Sequence, residues 1–308
     1  MKIAIVGPGA MGSLFAAHLS KKEDVVLIDK NEQRVKFINQ NGIKLEGVSG
    51  NWQAKVKATA DPDEAKEAEL IIICVKAYDT KDAVKTIKNI IKEDTSVLTL
   101  QNGVGNIEII SEIVGSEKVL GGVTNQGATL LGDGHIRHAG KGETVIGRID
   151  GKIPVQLRDI REAFNKAGLE TRISRDIKGL LWSKLIINVG INALTAITRL
   201  KNGKLIEFEG TRQILRAAVS EAVKIAKRKR IKLIYDDPLA KVEAVCEATS
   251  GNISSMLQDV LRKKKTEIDF INNAIVREGE SLGLPVTINS ALVDLVQTIE
   301  SSYGIRVE

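Results

Sequence analysis

The opening of the chain constrains its fold more than any other segment. A short apolar run, KIAIVG at residues 2–7, leads directly into Gly7-Pro8-Gly9-Ala10-Met11-Gly12 and then into AMGSLFAAHLSKK, a helix-like stretch. A strand, a G-x-G-x-x-G turn and a helix in immediate succession set specific demands on the backbone. Gly7 permits the tight turn, Gly9 lets backbone amides approach a pyrophosphate, and Gly12 lets helix and strand pack closely. The helix N-terminus then presents unpaired amides and the positive end of its dipole to the phosphates. Elsewhere the same six residues would signal little; between a strand and a helix they predict a dinucleotide-binding βαβ unit.

The rest of the N-terminal half continues the pattern. VVLID (25–29), LIIICV (70–75) and SVLTL (96–100) are continuous apolar runs rich in Val and Ile, as in strands buried on both faces of a parallel sheet. EQRVKFINQN and TKDAVKTIKNIIK between them read as helices. This alternation predicts an α/β fold with a Rossmann-type doubly wound sheet. Glycines at 121, 122, 127, 132, 134, 140, 142 and 147 predict short antiparallel strands that extend the sheet. VQLRDIREAFNKAG and LETRIS then supply one more helix and strand. After Arg175 strand signals stop and helix follows helix, which predicts an all-α C-terminal domain. The expected division is a dinucleotide-binding domain over 1–174 and a helical substrate and catalytic domain over 175–308.

The net charge is +6, and the most basic run, KIAKRKRIK at 224–232, falls at the end of a long expected helix, where cations suit the dipole. With only two Trp, three Tyr and five Phe, platforms for stacking bases are scarce, so no nucleic-acid partner is expected. The positive bias suits an anionic cofactor and an anionic substrate equally well. No basic-then-apolar leader opens the chain, and no run approaches the roughly 18–20 apolar residues of a membrane helix, so a cytoplasmic protein with no membrane partner is expected. Cys74 and Cys246 lie far apart in apolar surroundings and read as core thiols. His135 and His138 have no further ligand at metal spacing, so neither metal nor histidine catalysis is favoured.

Two features point to chemistry. Asp29 follows Gly7 at about the 20-residue spacing of a carboxylate that binds the ribose hydroxyls of NAD, which argues for NADH; Lys30, directly after it, could instead hold the extra phosphate of NADP. Further on, Lys184, Asn188 and Asn192 recur at i, i+4 spacing within an apolar segment that includes Leu185, Ile186, Ile187, Val189 and Ile191. At about 100° per residue they drift only about 40° per step and share one helix face. Burying such groups without partners costs on the order of 1–3 kcal/mol each, so the row reads as the polar wall of a cavity. A lysine in such a wall, with its pKa lowered by partial burial, is a natural proton donor. A second polar cluster, Asn252-Ile-Ser254-Ser255 and Thr266-Glu267, is explained as well by a helix cap and a solvated carboxylate.

Together GPGAMG, the strand-end VKAY, the QNG triplet, the K-x3-N-x3-N helix and the NISSMLQD…KKTEIDFIN stretch resemble the ketopantoate reductase family over essentially the whole chain. The resemblance implies reduction of 2-dehydropantoate to pantoate with hydride from NAD(P)H, a step toward pantothenate and coenzyme A, with NADPH the usual cofactor. It implies that Gly7, Pro8, Gly9, Ala10, Met11 and Gly12 hold the pyrophosphate, that Lys76 and Asn102 line the cofactor path, and that Ala128 contacts the cofactor through its backbone. Lys184 would be the general acid. Asn188, Asn192, Asn202, Asn252 and Ser255 would bind the substrate, with Asn102 near the reacting carbonyl. Glu267 would reach the cofactor ribose or orient the lysine. Two positions depart from the family: Asp29 precedes Lys30 where a basic residue is common, and Gln101 replaces a histidine found in some relatives. Another two-domain hydroxy-acid dehydrogenase and a non-catalytic dinucleotide sensor are the alternatives. The expected partner is a small 2-oxo acid, and the apolar helix stripes allow a homodimer.

Overall fold

The computed structural model describes residues 1–306 and divides into two compact units, one of Met1–Gln101 with Asn106–Ile177, the other of Asn102–Gly105 with the chain from Lys178 onward.

In the first unit the apolar runs become parallel strands. β1 (Lys2–Val6), β2 (Asp24–Ile28), β3 (Ile43–Gly47), β4 (Trp52–Ala54), β5 (Lys57–Thr59), β6 (Leu70–Ile73), β7 (Ser96–Thr99), β8 (Val119–Thr124), β9 (Gly127–Gly132), β10 (His135–Gly140), β11 (Thr144–Gly147) and β12 (Thr171–Ile173) are joined by helices α1 (Ala10–Leu19), α2 (Glu32–Asn41), α3 (Thr80–Ile87), α4 (Asn106–Val114) and α5 (Val155–Lys166). Eight strands form one sheet in the order β12-β11-β8-β7-β6-β1-β2-β5. β1 lies at the switch point, with Ile3 to Val6 registered against Val25 to Ile28 on one side and Leu70 to Ile73 on the other. Ligands of open α/β sheets bind where strand order reverses, at the carboxyl ends of such strands.

The glycine-rich segment differs from expectation in part. β8 continues the parallel run beside β7, and β11 pairs antiparallel to β8. β9 and β10 leave the large sheet and join β3 and β4 in a separate sheet of order β4-β3-β10-β9. The cause is apolar cover: Ile43, Leu45, Ala54 and Ile136 on this small sheet are buried in one core with Leu14 and Phe15 of α1. Phe15 also meets Phe164 of α5 with ring centroids 5.7 Å apart.

The second unit is helical, with α6 (Ile177–Thr198, all but its first residue), α7 (Glu209–Arg228), α8 (Pro238–Ala248), α9 (Ser255–Leu261), α10 (Asn272–Ser281) and α11 (Thr287–Ser301). α6 is long and apolar enough to cross a membrane, contrary to the expectation that no segment approaches that limit; 72% of its apolar window is buried inside the protein. A Cβ on Gly190 would lie 2.8 Å from Val242 and 2.9 Å from Val219, so glycine there lets α7 and α8 press against α6. The stretch TEIDFINNAIVREGESLG holds a short turn, Ile268–Phe270, ahead of α10. The Phe270 carbonyl accepts the Val104 amide at 3.1 Å, which ties the Asn102–Gly105 segment to this unit.

Candidate active site

The first unit carries the glycine turn expected to cradle phosphate. Gly7 has φ +95°, and its amide donates to the Ile28 carbonyl at 3.0 Å. A Cβ on Gly7 would stand 2.9 Å from the Val75 amide nitrogen, and one on Gly12 only 2.1 Å from the Gly7 carbonyl oxygen. Gly9 is the opposite case: it precedes α1, and a Cβ there would meet no atom within 4 Å. The first helical bond runs from Ser13 to Gly9, so the amides of Ala10, Met11 and Gly12 are the unpaired donors of the helix start. Pro8 is buried, and its carbonyl accepts the Ser13 hydroxyl at 3.2 Å, which fixes the turn. A cradle with three free amides and open space in front of Gly9 fits a pyrophosphate.

At the end of β2 the Asp29 carboxylate is already engaged. It accepts Arg34 Nη1 at 2.7 Å and the Asn31 amide at 3.2 Å, while Arg34 Nε donates to Asp133 at 2.9 Å. Lys30 beside it is exposed. Arg34 was missed in the sequence; its signal was its place in the first turn of α2, where it can reach back to the strand end. Lys76 is half-buried and opens a short turn directly after β6. Gln101 donates to the Val75 carbonyl and to the Thr80 hydroxyl, both at 2.8 Å, so it fastens the chain after β7 to the chain after β6. Ala128 is half-buried in β9, paired with His138. That histidine and His135 spend their nitrogens on Ser49, Gln126 and Glu46, and no group of three potential metal ligands occurs among the described residues.

The second unit carries the polar row on α6. Lys184 is half-buried, and desolvation pulls its pKa from 10.5 down to about 8 against the opposing charge of Glu267. Asn188 is half-buried with a buried Nδ2 that has no acceptor, and Asn192 is buried outright. A buried amide donor left unpaired costs about 1–3 kcal/mol, which a ligand acceptor would recover. Glu267 is buried, and its carbonyl accepts the Phe270 amide at 3.0 Å. The neighbouring Asn102–Gly105 segment needs glycine: Gly103 has φ +84°, and a Cβ there would meet the Phe270 oxygen at 2.2 Å. Asn102 is thereby anchored to the turn that carries Glu267.

The remaining candidates converge from two loops. Buried Asn202 donates its amide to the Asn252 carbonyl at 3.0 Å and its Nδ2 to Thr249 at 2.9 Å, leaving a buried Oδ1 without a partner. The Asn252 side chain is exposed. Of the two serines, Ser254 is the helix cap, accepting the Leu257 amide at 3.0 Å; Ser255 is the first residue of α9 and exposed. The unit therefore carries an acid whose pKa is lowered to about 8, an unpaired carboxamide donor and an unpaired carboxamide acceptor, groups suited to protonating and orienting a small oxygen-rich molecule.

Residues 3–151 match the family of ketopantoate reductase PanE/ApbA, and residues 176–300 match its C-terminal counterpart. The chain is 39% identical over 305 residues to 2-dehydropantoate 2-reductase of Pyrococcus horikoshii, covering 99% of each. Among solved structures it is similar to a PanE/ApbA family ketopantoate reductase from Ralstonia eutropha JMP134, at 36% identity and TM-score 0.92 over 98% of this chain and 99% of that one. It is also similar to D-mandelate dehydrogenase in its ternary structure with NADH and anilino(oxo)acetate, at 29% identity and TM-score 0.91 over 99% of this chain and 100% of that one.

Proposed function

The chain belongs to the ketopantoate reductase family, and from that premise we propose that it reduces the C2 ketone of 2-dehydropantoate to the alcohol of pantoate. One observation carries the reading: Lys184, an ammonium with pKa near 8, shares an α6 face with two carboxamides, one of which has a buried donor without an acceptor.

The nicotinamide dinucleotide supplies the hydride. The turn of Gly7, Pro8, Gly9, Ala10, Met11 and Gly12 would hold its pyrophosphate, with the free amides of Ala10, Met11 and Gly12 as the donors and Lys76 and the Ala128 backbone as further contacts. As negative charge grows on the ketone oxygen, Lys184 stabilises it and delivers the proton that completes the hydroxyl. Such a positioned acid contributes about 10²- to 10⁴-fold in rate. Asn188 donates to a substrate oxygen, the unpaired Oδ1 of Asn202 accepts a substrate hydroxyl, and Asn192, Asn252, Ser255 and Asn102 complete the orientation. Glu267 keeps Lys184 protonated by its charge and is also the candidate for the cofactor ribose.

Cofactor choice turns on the end of β2. An unpaired Asp29 would repel the second phosphate of NADPH; paired with Arg34 at 2.7 Å it is largely neutralised, and Lys30 adds a cation. This pairing supports use of both NADH and NADPH, with Arg34 admitting the phosphorylated form.

A second reading, a dehydrogenase for another 2-oxo acid, draws on the likeness to D-mandelate dehydrogenase. Following absorbance of the reduced cofactor with 2-dehydropantoate and with aromatic 2-oxo acids, under each cofactor, separates the two. A dominant kcat/KM for 2-dehydropantoate supports the first reading and turnover of only the aromatic acids the second; cofactor binding without turnover would leave a sensor.

A further inference from the structure

We infer that Thr195 is a positioning residue that holds the substrate-facing groups of α6 and of the α9 start in register, acting through Ser254; the inference rests on the proposed reduction of 2-dehydropantoate. Thr195 is fully buried, one turn beyond Asn192 on α6. Its hydroxyl lies 2.9 Å from the Asn192 carbonyl, 3.0 Å from the Ile191 carbonyl and 2.7 Å from the Ser254 hydroxyl.

A hydroxyl has one proton to give, and the helix carbonyls can only accept. This sets the direction of the link. Ser254 Oγ accepts the Leu257 amide at 3.0 Å as the cap of α9, so its own proton is available for Thr195. Thr195 accepts it and passes its own proton to the α6 carbonyls. In that arrangement both buried hydroxyls are satisfied; reversed, Thr195 leaves the carbonyls and the Ser254 proton needs another acceptor. The result is a directional chain from the α9 amide end to the backbone of Asn192.

This chain links three segments that are distant in sequence. Asn192 lies at its α6 end, and Ser255 follows Ser254 at its α9 end. Asn252, two residues before Ser254, holds the backbone of Asn202 through its carbonyl at 3.0 Å. Loss of the Thr195–Ser254 contact would let the α9 start drift relative to α6, and angstrom-scale misplacement of orienting groups is costly to turnover and binding.

The test compares Thr195→Val, which removes the hydroxyl at constant shape, with Thr195→Ser, which keeps it, in the full-length protein. Thr195→Val should raise KM for 2-dehydropantoate on the order of 10-fold. The dissociation constant for the cofactor, read by fluorescence, should stay near native, and Thr195→Ser should restore the native KM. Because a buried valine can impair folding, Ser254→Gly is measured as well: glycine is a tolerated cap but cannot make the link, so it should raise KM in the same way. A folded Thr195→Val or Ser254→Gly enzyme with native KM overturns the inference while leaving the reductase reading intact. Equal KM increases in Thr195→Val and Thr195→Ser overturn it too, since packing would then be the cause. A native protein inactive on 2-dehydropantoate overturns both.

Discussion

The buried carboxylate of Glu267 acts on the Lys184 ammonium, holding its pKa up while desolvation drives it down to about 8. The proposed reduction uses the protonated lysine, so kcat should fall as pH rises through about 8. Glu267→Gln removes the opposing charge and leaves the desolvation, which moves that fall to lower pH. A pH–rate profile of the two proteins checks this, and a limb that stays in place or moves upward would separate Glu267 from the acid.

Removal of the acid itself has a larger effect. Lys184→Ala should lower kcat with 2-dehydropantoate by at least about 100-fold, the lower bound for a positioned general acid. Cofactor binding, which we propose rests on the glycine turn of the first unit, should change little. Turnover within a few-fold of native would exclude the lysine from the proton transfer.

Arg34 gives a prediction of opposite character, since it concerns the choice of cofactor and not the rate. A charge-assisted hydrogen bond to a phosphate is worth about 1.5–3 kcal/mol, which corresponds to roughly 10-fold or more in affinity. Arg34→Ala should therefore reduce kcat/KM for NADPH by that order and free Asp29 to repel the phosphate, while use of NADH falls much less. Equal losses with both cofactors would show that Arg34 serves only to support the β2–α2 turn.

The α/β architecture was legible in the sequence because parallel strands buried on both faces must be continuous apolar runs, and the glycine turn requires a helix after the first of them. The polar row was legible as geometry, since a helix puts Lys184, Asn188 and Asn192 on one face whatever surrounds them. What a one-dimensional pattern cannot carry is partner choice at a distance. β10 alternates like any half-covered strand, and nothing local says that Ile136 is covered by α1 in a second sheet. Ser254 and Ser255 are the same residue type side by side; only the pairing of Ser254 with Leu257 and Thr195 decides which one caps. Asp29 looked like an unpaired carboxylate because Arg34 comes within reach only once α2 has folded back on the strand end.

The last prediction concerns stability and lies away from the catalytic row. His18 of α1 is buried, and its Nδ1 lies 3.2 Å from the Ala167 carbonyl. That oxygen only accepts, so Nδ1 carries the proton and the buried Nε2, which has no partner, is the nitrogen that would have to charge. Burial is the main cause that lowers its pKa from 6.5 to about 4, and Lys21, His138 and Lys141 add positive charge nearby. Above about pH 6.5 the imidazole is neutral both folded and unfolded and has no effect on the pH dependence. Between 6.5 and 4 the unfolded chain takes up a proton that the folded chain refuses, so stability declines as pH falls through that window, by up to about 3 kcal/mol. Carboxylates titrate over part of the same range, so His18→Asn is the control: its amide can still donate to Ala167 but cannot ionise. Urea midpoints measured from pH 7 to pH 5 should fall more steeply for the native protein than for His18→Asn, and parallel declines would assign the acid sensitivity to other groups.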